Sequence, residues 1–150
     1  MDVTQSKIIK EVILDYFKFT PFDRILGLTE ESFDFENGSL NFSIQDNLTI
    51  MGTLHGPAIA SALDIEGGIL VFQEIVRKMN GKSRQELFKK LNEMVTLELH
   101  IAYLQKGAGS RFVVSGQVIR FGKKVAVTRT ELQNEDHTII AVGTATYLLV

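Results

Sequence analysis

The spacing of apolar positions changes along the chain, and each change marks an element. In SKIIKEVILDYFKF, Ile8, Ile9, Val12, Ile13, Tyr16 and Phe17 recur at helical intervals. That spacing predicts an amphipathic N-terminal helix within residues 1–20, with Ser6 placed to cap it and Pro21 ending it. SFDFENGSLNFSI then alternates Phe33 and Phe35 with Leu40, Phe42 and Ile44 about Asn37-Gly38, a hairpin signal for two antiparallel strands. From Gly56 to about Met79 the alternation is lost because nearly every position is apolar. The run predicts a central helix over 56–79, buried on most sides, with Asn80-Gly81 as its stop. Ser83 and Glu86 have capping-box spacing and open a short helix over 83–91 that carries Leu87, Phe88 and Leu91 and reads as an inserted connector.

The last third returns to a period of two. TLELHIAYL places Leu97, Leu99, Ile101 and Tyr103 on one face and Thr96, Glu98 and His100 on the other. RFVVSGQVIR, KVAVTRTELQ and TIIAVGTATYLLV follow at hairpin distances, which predicts a meander of four strands. There is no internal repeat, low-complexity tract or Pro/Gly/Ser linker, so the 150 residues read as a single domain. Helix, hairpin, buried helix and meander make an α+β pattern, an antiparallel sheet wrapped on a central helix.

Composition narrows the chemistry. The absence of cysteine excludes a disulfide framework, thiolate metal ligands and a Cys nucleophile. Sixteen Lys plus Arg against eighteen Asp plus Glu give a formal charge of −2, which argues against a nucleic-acid partner. MDVTQSKIIKEV lacks the pattern of a signal peptide, and no segment reaches the ~18 uninterrupted apolar residues of a membrane span. The expectation is a cytoplasmic protein with no membrane partner.

One carboxylate, Asp64, stands inside the apolar run TIMGTLHGPAIASALDIEGGILVF. If the central helix begins at Pro57, whose ring suits the first helical position, Gly56 is its cap and offers an unpaired N–H at the positive end of the helix dipole. Asp64 lies eight residues on, about 12 Å along the axis, so the two reach one atom only if a substrate spans the helix or a neighbouring subunit helps. Burying an ionised carboxylate without partners is costly, so a polar group must meet Asp64. A purely structural carboxylate, satisfied by backbone or hydroxyl donors, is the alternative. Gly67-Gly68 costs about 1 kcal/mol per glycine against alanine and marks tight packing or close approach of another backbone.

GTLHGPAIASALDIEGG together with VTLELHIAYLQKGAGSRFVVSGQVIRFGKKVAVTRTELQNEDHTIIAVGTATYLLV resembles the phenylacetate-type acyl-CoA thioesterases of the hotdog superfamily, over roughly residues 40 to 150. The family pattern is His-Gly-Gly, an apolar stretch and a catalytic Asp or Glu on the central helix; His55, Gly56 and Asp64 match it, while Pro57 replaces the second Gly. The resemblance implies a hotdog fold in which Gly56 N–H polarises the thioester carbonyl and Asp64 acts as base or nucleophile. It implies that Thr96, where some members carry a Ser or Thr, enters the site from the partner subunit, and that His55 orients substrate or braces the turn. It places the family's upstream polar side chain at Thr49, or less directly at Asn47. The segment 77–93 is longer than in most members. The implied function is hydrolysis of an acyl-CoA by a homodimer or dimer of dimers, with coenzyme A as part of the substrate and no separate cofactor. A hotdog hydratase or dehydratase and a non-catalytic acyl-CoA-binding protein are the rival readings.

Other motifs carry less. His55, His100 and His137 lack metal-ligand spacing, and there is no Gly-x-Ser-x-Gly elbow. KGAGSRF at 106–112 reads as a Gly-rich connection between strands rather than a phosphate loop. RFGKK at 120–124 is a tight turn whose Arg120, Lys123 and Lys124 are solvated or meet the phosphates of coenzyme A.

Overall fold

The computed structural model describes residues 3–150. Helix α1 runs Val3–Lys18 and buries Ile9, Val12 and Ile13. Ser6 lies inside this helix rather than capping it, and the predicted residues 1 and 2 fall outside the described residues. Pro21 does not end α1; it opens a second short helix, α2 (Pro21–Ile25), because its fixed φ and missing N–H suit a first helical position. Strands β1 (Phe33–Asp34) and β2 (Ser39–Ser43) form the expected hairpin with Asp34 opposite Ser39, so β1 is short and Phe35 falls in the loop. The Asp34 carboxylate holds that loop by accepting from the Glu36 and Asn37 amides, at 3.1 and 3.0 Å.

A small second hairpin, β3 (Thr49–Ile50) and β4 (Thr53–Leu54), leads into the central helix α3 (Gly56–Lys78). Its 23 residues span about 34 Å. Helix α4 (Arg84–Glu93) follows with the predicted capping box, Ser83 and Glu86 each bonding the other's backbone N–H. The remaining strands are β5 (Val95–Tyr103), β6 (Arg111–Phe121), β7 (Val125–Asn134) and β8 (Ile139–Leu148).

The six long-sheet strands are ordered β1-β2-β6-β7-β8-β5. Only β6, β7 and β8 form the meander. The predicted fourth member, β5, skips β6 and pairs antiparallel with β8, because β2 already occupies the other side of β6. β5 is therefore a sheet edge. Helix α3 lies across the inner face of β6, β7 and β8, and Leu63, Phe72, Phe112, Leu132 and Ile140 fill the space between them. This is the hotdog arrangement that the resemblance implied.

The β5 register departs from simple alternation. Thr96 pairs with Tyr147 but Glu98 pairs with Thr146, so a bulge falls at Leu97. The extra residue flips everything before it to the other face of the sheet. Thr96 thereby shares the inner face with Leu99 and Ile101, contrary to the predicted grouping with Glu98 and His100, and Leu97 is left exposed.

Candidate active site

Asp64 sits in the third turn of α3 and is half-buried. Two hydroxyls meet its carboxylate. Thr96 Oγ1 donates to Asp64 Oδ1 at 2.9 Å, and Tyr147 OH lies 3.1 Å from the same oxygen and 2.9 Å from the Asp64 carbonyl oxygen. No described donor is bonded to Oδ2. Burial and the neighbouring carboxylate charge push the Tyr147 phenol well above its usual range, so it is a neutral donor at ordinary pH. Polar partners for the charge in the apolar run are thus two hydroxyls from neighbouring strands.

Both strands place these groups by register. Tyr147 follows Gly143 and Ala145 on the inner face of β8, small residues that leave room for the helix. Gly67 completes the fit, since a Cβ there would stand 2.2 Å from the Tyr147 oxygen. The expected close approach at Gly67 is therefore to a side chain of the sheet. Thr96 reaches Asp64 within its own chain, which corrects the expectation that Thr96 is supplied by a partner; the bulge at Leu97 turns it inward.

At the head of α3, His55 is the cap residue, not Gly56. The Gly56 N–H donates to His55 Nδ1 at 3.1 Å, which puts the ring proton of a neutral His55 on Nε2. Tyr103 OH donates to the Gly56 carbonyl at 3.3 Å. Pro57 occupies the first turn and is exposed. Gly56 and Asp64 belong to one helix at the predicted separation, so the chain does not bring them together.

The predicted substrate contacts are scattered. Thr49 Oγ1 donates to the Asp46 carbonyl at 2.9 Å and Asn47 Nδ2 to the Ile25 carbonyl at 3.2 Å, so both are committed to loop backbone. Arg120, Lys123 and Lys124 lie at the β6–β7 turn, beside the far end of α3, where Lys78 stacks over Phe121 at 5.1 Å. Lys78 is 14 residues beyond Asp64, about 21 Å along the axis. KGAGSRF is not free to cradle a phosphate: the Glu135 carboxylate accepts from the Ser110 amide and hydroxyl and from the Arg111 amide. Its own backbone amide first, and then those bonds, hold the Glu135 carboxyl down to about 2.

Three features escaped the sequence reading. Tyr147 is one; its signal was a bulky hydroxyl closing a face of Gly143 and Ala145. The second is Glu66, two residues after Asp64, which is 1% exposed and whose Oε1 has no hydrogen-bond partner among the described residues. Burial, reinforced by the charge of Asp34, raises its carboxyl well above the usual range. The third is a cavity of about 230 Å³ that opens beside Asp64, Thr96 and Tyr147.

A long helix crossing an antiparallel sheet defines the hotdog fold, and a hydroxyl-held carboxylate in the third turn of that helix is its candidate site. The Thioesterase superfamily model matches residues 51–141, and the chain belongs to that family. It is 36% identical over 150 residues to the medium/long-chain acyl-CoA thioesterase YigI of Salmonella typhimurium, covering 98% of this chain and 97% of that one. The YigI of Escherichia coli is 35% identical over the same shares. A crystal structure from Shewanella oneidensis, of a protein related to the thioesterase superfamily, superposes with a TM-score of 0.87 at 30% identity, each chain covered in full.

Proposed function

We propose that the chain hydrolyses acyl-CoA thioesters to a free acid and coenzyme A. The observation that carries this reading is the Asp64 carboxylate, with both hydroxyls on Oδ1 and the cavity beside it. The names of the relatives support the substrate class. Asp64 Oδ2 takes a proton from water as the water oxygen bonds to the carbonyl carbon, or attacks that carbon itself; collapse expels the thiolate, which needs little acid assistance, and in the second route water then cleaves the acyl–Asp64 anhydride to release the acid and restore the carboxylate. Coenzyme A is the leaving group, so no further cofactor is required.

Polarisation of the carbonyl needs a donor, and Gly56 N–H at the head of the helix is suited to it once the His55 ring releases it. Within one chain that donor is about 12 Å from Asp64. Two α3 helices side by side and antiparallel bring Gly56 of the partner subunit against Asp64, and the open edge of β5 offers the pairing that joins two sheets. The working unit in this reading is a homodimer or a dimer of dimers. What the second chain supplies is an amide, since Thr96 is already in place.

Free-thiol release from a series of acyl-CoAs tests the activity. Mixing an Asp64→Ala chain with a Gly56→Pro chain tests the sharing: each homodimer is inactive, whereas the mixed dimer holds one intact pair and regains part of the activity. Heterodimers that form but stay inactive would overturn the shared site.

A further inference from the structure

We infer that the cavity beside Asp64 receives the aliphatic chain of the substrate, and that α1 and α4 set the length it accepts; this rests on the thioesterase reading above. At about 230 Å³ the cavity is smaller than the roughly 300–1,000 Å³ typical of drug-sized ligands, which suits one unbranched chain rather than a fused ring system. Its polar end is Asp64, Thr96 and Tyr147. Its walls are otherwise mostly apolar, with Thr20 and Asp23 adding a second polar patch near the junction of α1 and α2. Ile65 and Ile69 form a ridge one turn apart on α3, facing Ile13 and Phe17, a second such ridge on α1, with Leu91 of α4 beside them.

Gly68 lies between the α3 ridge and Asp64 and lines the cavity without a side chain. A Cβ built there meets only the Tyr147 ring, at 3.8 Å, an ordinary contact. The space nearest the reacting carboxylate is therefore open because residue 68 is glycine, and no backbone strain or close packing otherwise requires one. A thioester carbonyl held at Asp64 leads its chain past Gly68 toward Phe17.

The wall opposite is held in place. Phe17 packs edge-on against Phe33 with ring centroids 5.5 Å apart, and Tyr16 meets Phe88 of α4 at 6.1 Å. Arg84 of α4 is paired with Asp15 and, at 3.7 Å, with Glu11 of α1. Helix α1 lies outside residues 51–141, the span matched by the family model, and α4 lies within it, so only the α1 half of the wall is added to the matched span.

Burying each methylene of a linear chain gains roughly fourfold in binding until the cavity is full, after which the gain stops. The test uses S-alkyl-CoA thioethers of increasing length, which bind without turnover, measured by calorimetry beside a kcat/KM series on the matching thioesters. Gly68→Leu fills the passage beside Asp64 and should move the break in both series to shorter chains by at least two carbons. Phe17→Ala opens the wall and should move it to longer chains. Thermal melting of each variant checks the fold, and the two act in opposite directions, so a general loss of structure does not imitate the result. Hydrolysis by the parent chain with a length profile unchanged in both folded variants would overturn this inference and leave the thioesterase reading intact. A parent chain that binds the thioethers with a length break but hydrolyses no thioester would overturn that reading instead.

Discussion

Two carboxylates stand two residues apart on the central helix, and their surroundings are opposite. Asp64 is half-buried and has two hydroxyls on one oxygen, while Glu66 is 1% exposed with an oxygen that no donor among the described residues meets. A step of two residues turns about 200° around the axis, so the pair faces different sides of one buried rod. On the Asp64 side, Thr96 and Tyr147 bring hydroxyls to the carboxylate and the cavity opens beside it. On the Glu66 side burial favours the neutral form of the same functional group. A charge within an apolar run is therefore not a single kind of signal, and what distinguishes the two cases is the neighbouring strand.

The largest expected effect separates the two at the level of chemistry. Asp64→Asn removes the base or nucleophile and should lower kcat by about 10²- to 10⁴-fold, with acyl-CoA binding and the melting temperature nearly unchanged. Glu66→Gln keeps the shape of the neutral side chain and should leave kcat within about twofold. Loss of turnover in the Glu66 variant, with Asp64→Asn active, would reverse the assignment.

A smaller effect tests what holds Asp64. A hydrogen bond to a charged group contributes about 1.5–3 kcal/mol, so removing either hydroxyl should cost roughly tenfold or more in kcat. Tyr147→Phe and Thr96→Val should both lower kcat with little change in KM, and Thr96→Ser should recover most of the rate. Gly67→Ala should resemble Tyr147→Phe, because the new Cβ displaces the phenol oxygen that lies 2.2 Å from its position. Full activity in the Phe and Val variants would reduce both residues to packing.

These contrasts explain which parts of the molecule were legible in the sequence. The central helix, the capping box at Ser83 and Glu86 and the strands of the last third rest on local periodicity and side-chain-to-backbone bonds, and those were readable. Asp64 was found as a charge in an apolar run and Gly56 from Pro57 at the helix start, while His55 came from the family pattern that the segment resembles. The pairing of β5 with β8, the bulge at Leu97 and the arrival of Tyr147 at Asp64 depend on partners far along the chain, where a shift of one residue exchanges the faces of a strand. Glu66 was overlooked for the same reason. On a helix buried nearly all round, sequence does not say which side has a hydroxyl to offer. The capping role of His55 was hidden by Pro57, which marks a helix start without saying whether the chain bends one residue or two before it.

The smallest effect concerns stability, and it isolates Glu66. Its carboxyl is raised in the folded protein by burial first and by Asp34 second, relative to an ordinary value of 4.5. The folded state thus holds the proton over a range where the unfolded chain has released it, and stability must fall as pH rises through that range. The contribution is fully present below about pH 4.5 and is lost as pH rises toward the folded value, at a limiting slope of about 1.4 kcal/mol per pH unit for one proton. Asp23, half-buried and also raised by burial, adds a slope of the same sign. Glu86 and Glu135, held to about 2, act in the opposite sense, and their contribution disappears only as pH falls below the carboxylate range. Glu66→Gln cannot ionise, so its denaturation midpoint in urea should match the parent near pH 4.5 and exceed it by a growing margin at higher pH, while the acid-side decline due to Glu86 and Glu135 stays the same in both. Parallel curves across the whole range would show that Glu66 is ionised in the folded state and has a donor, and the contrast with Asp64 would then rest on exposure alone.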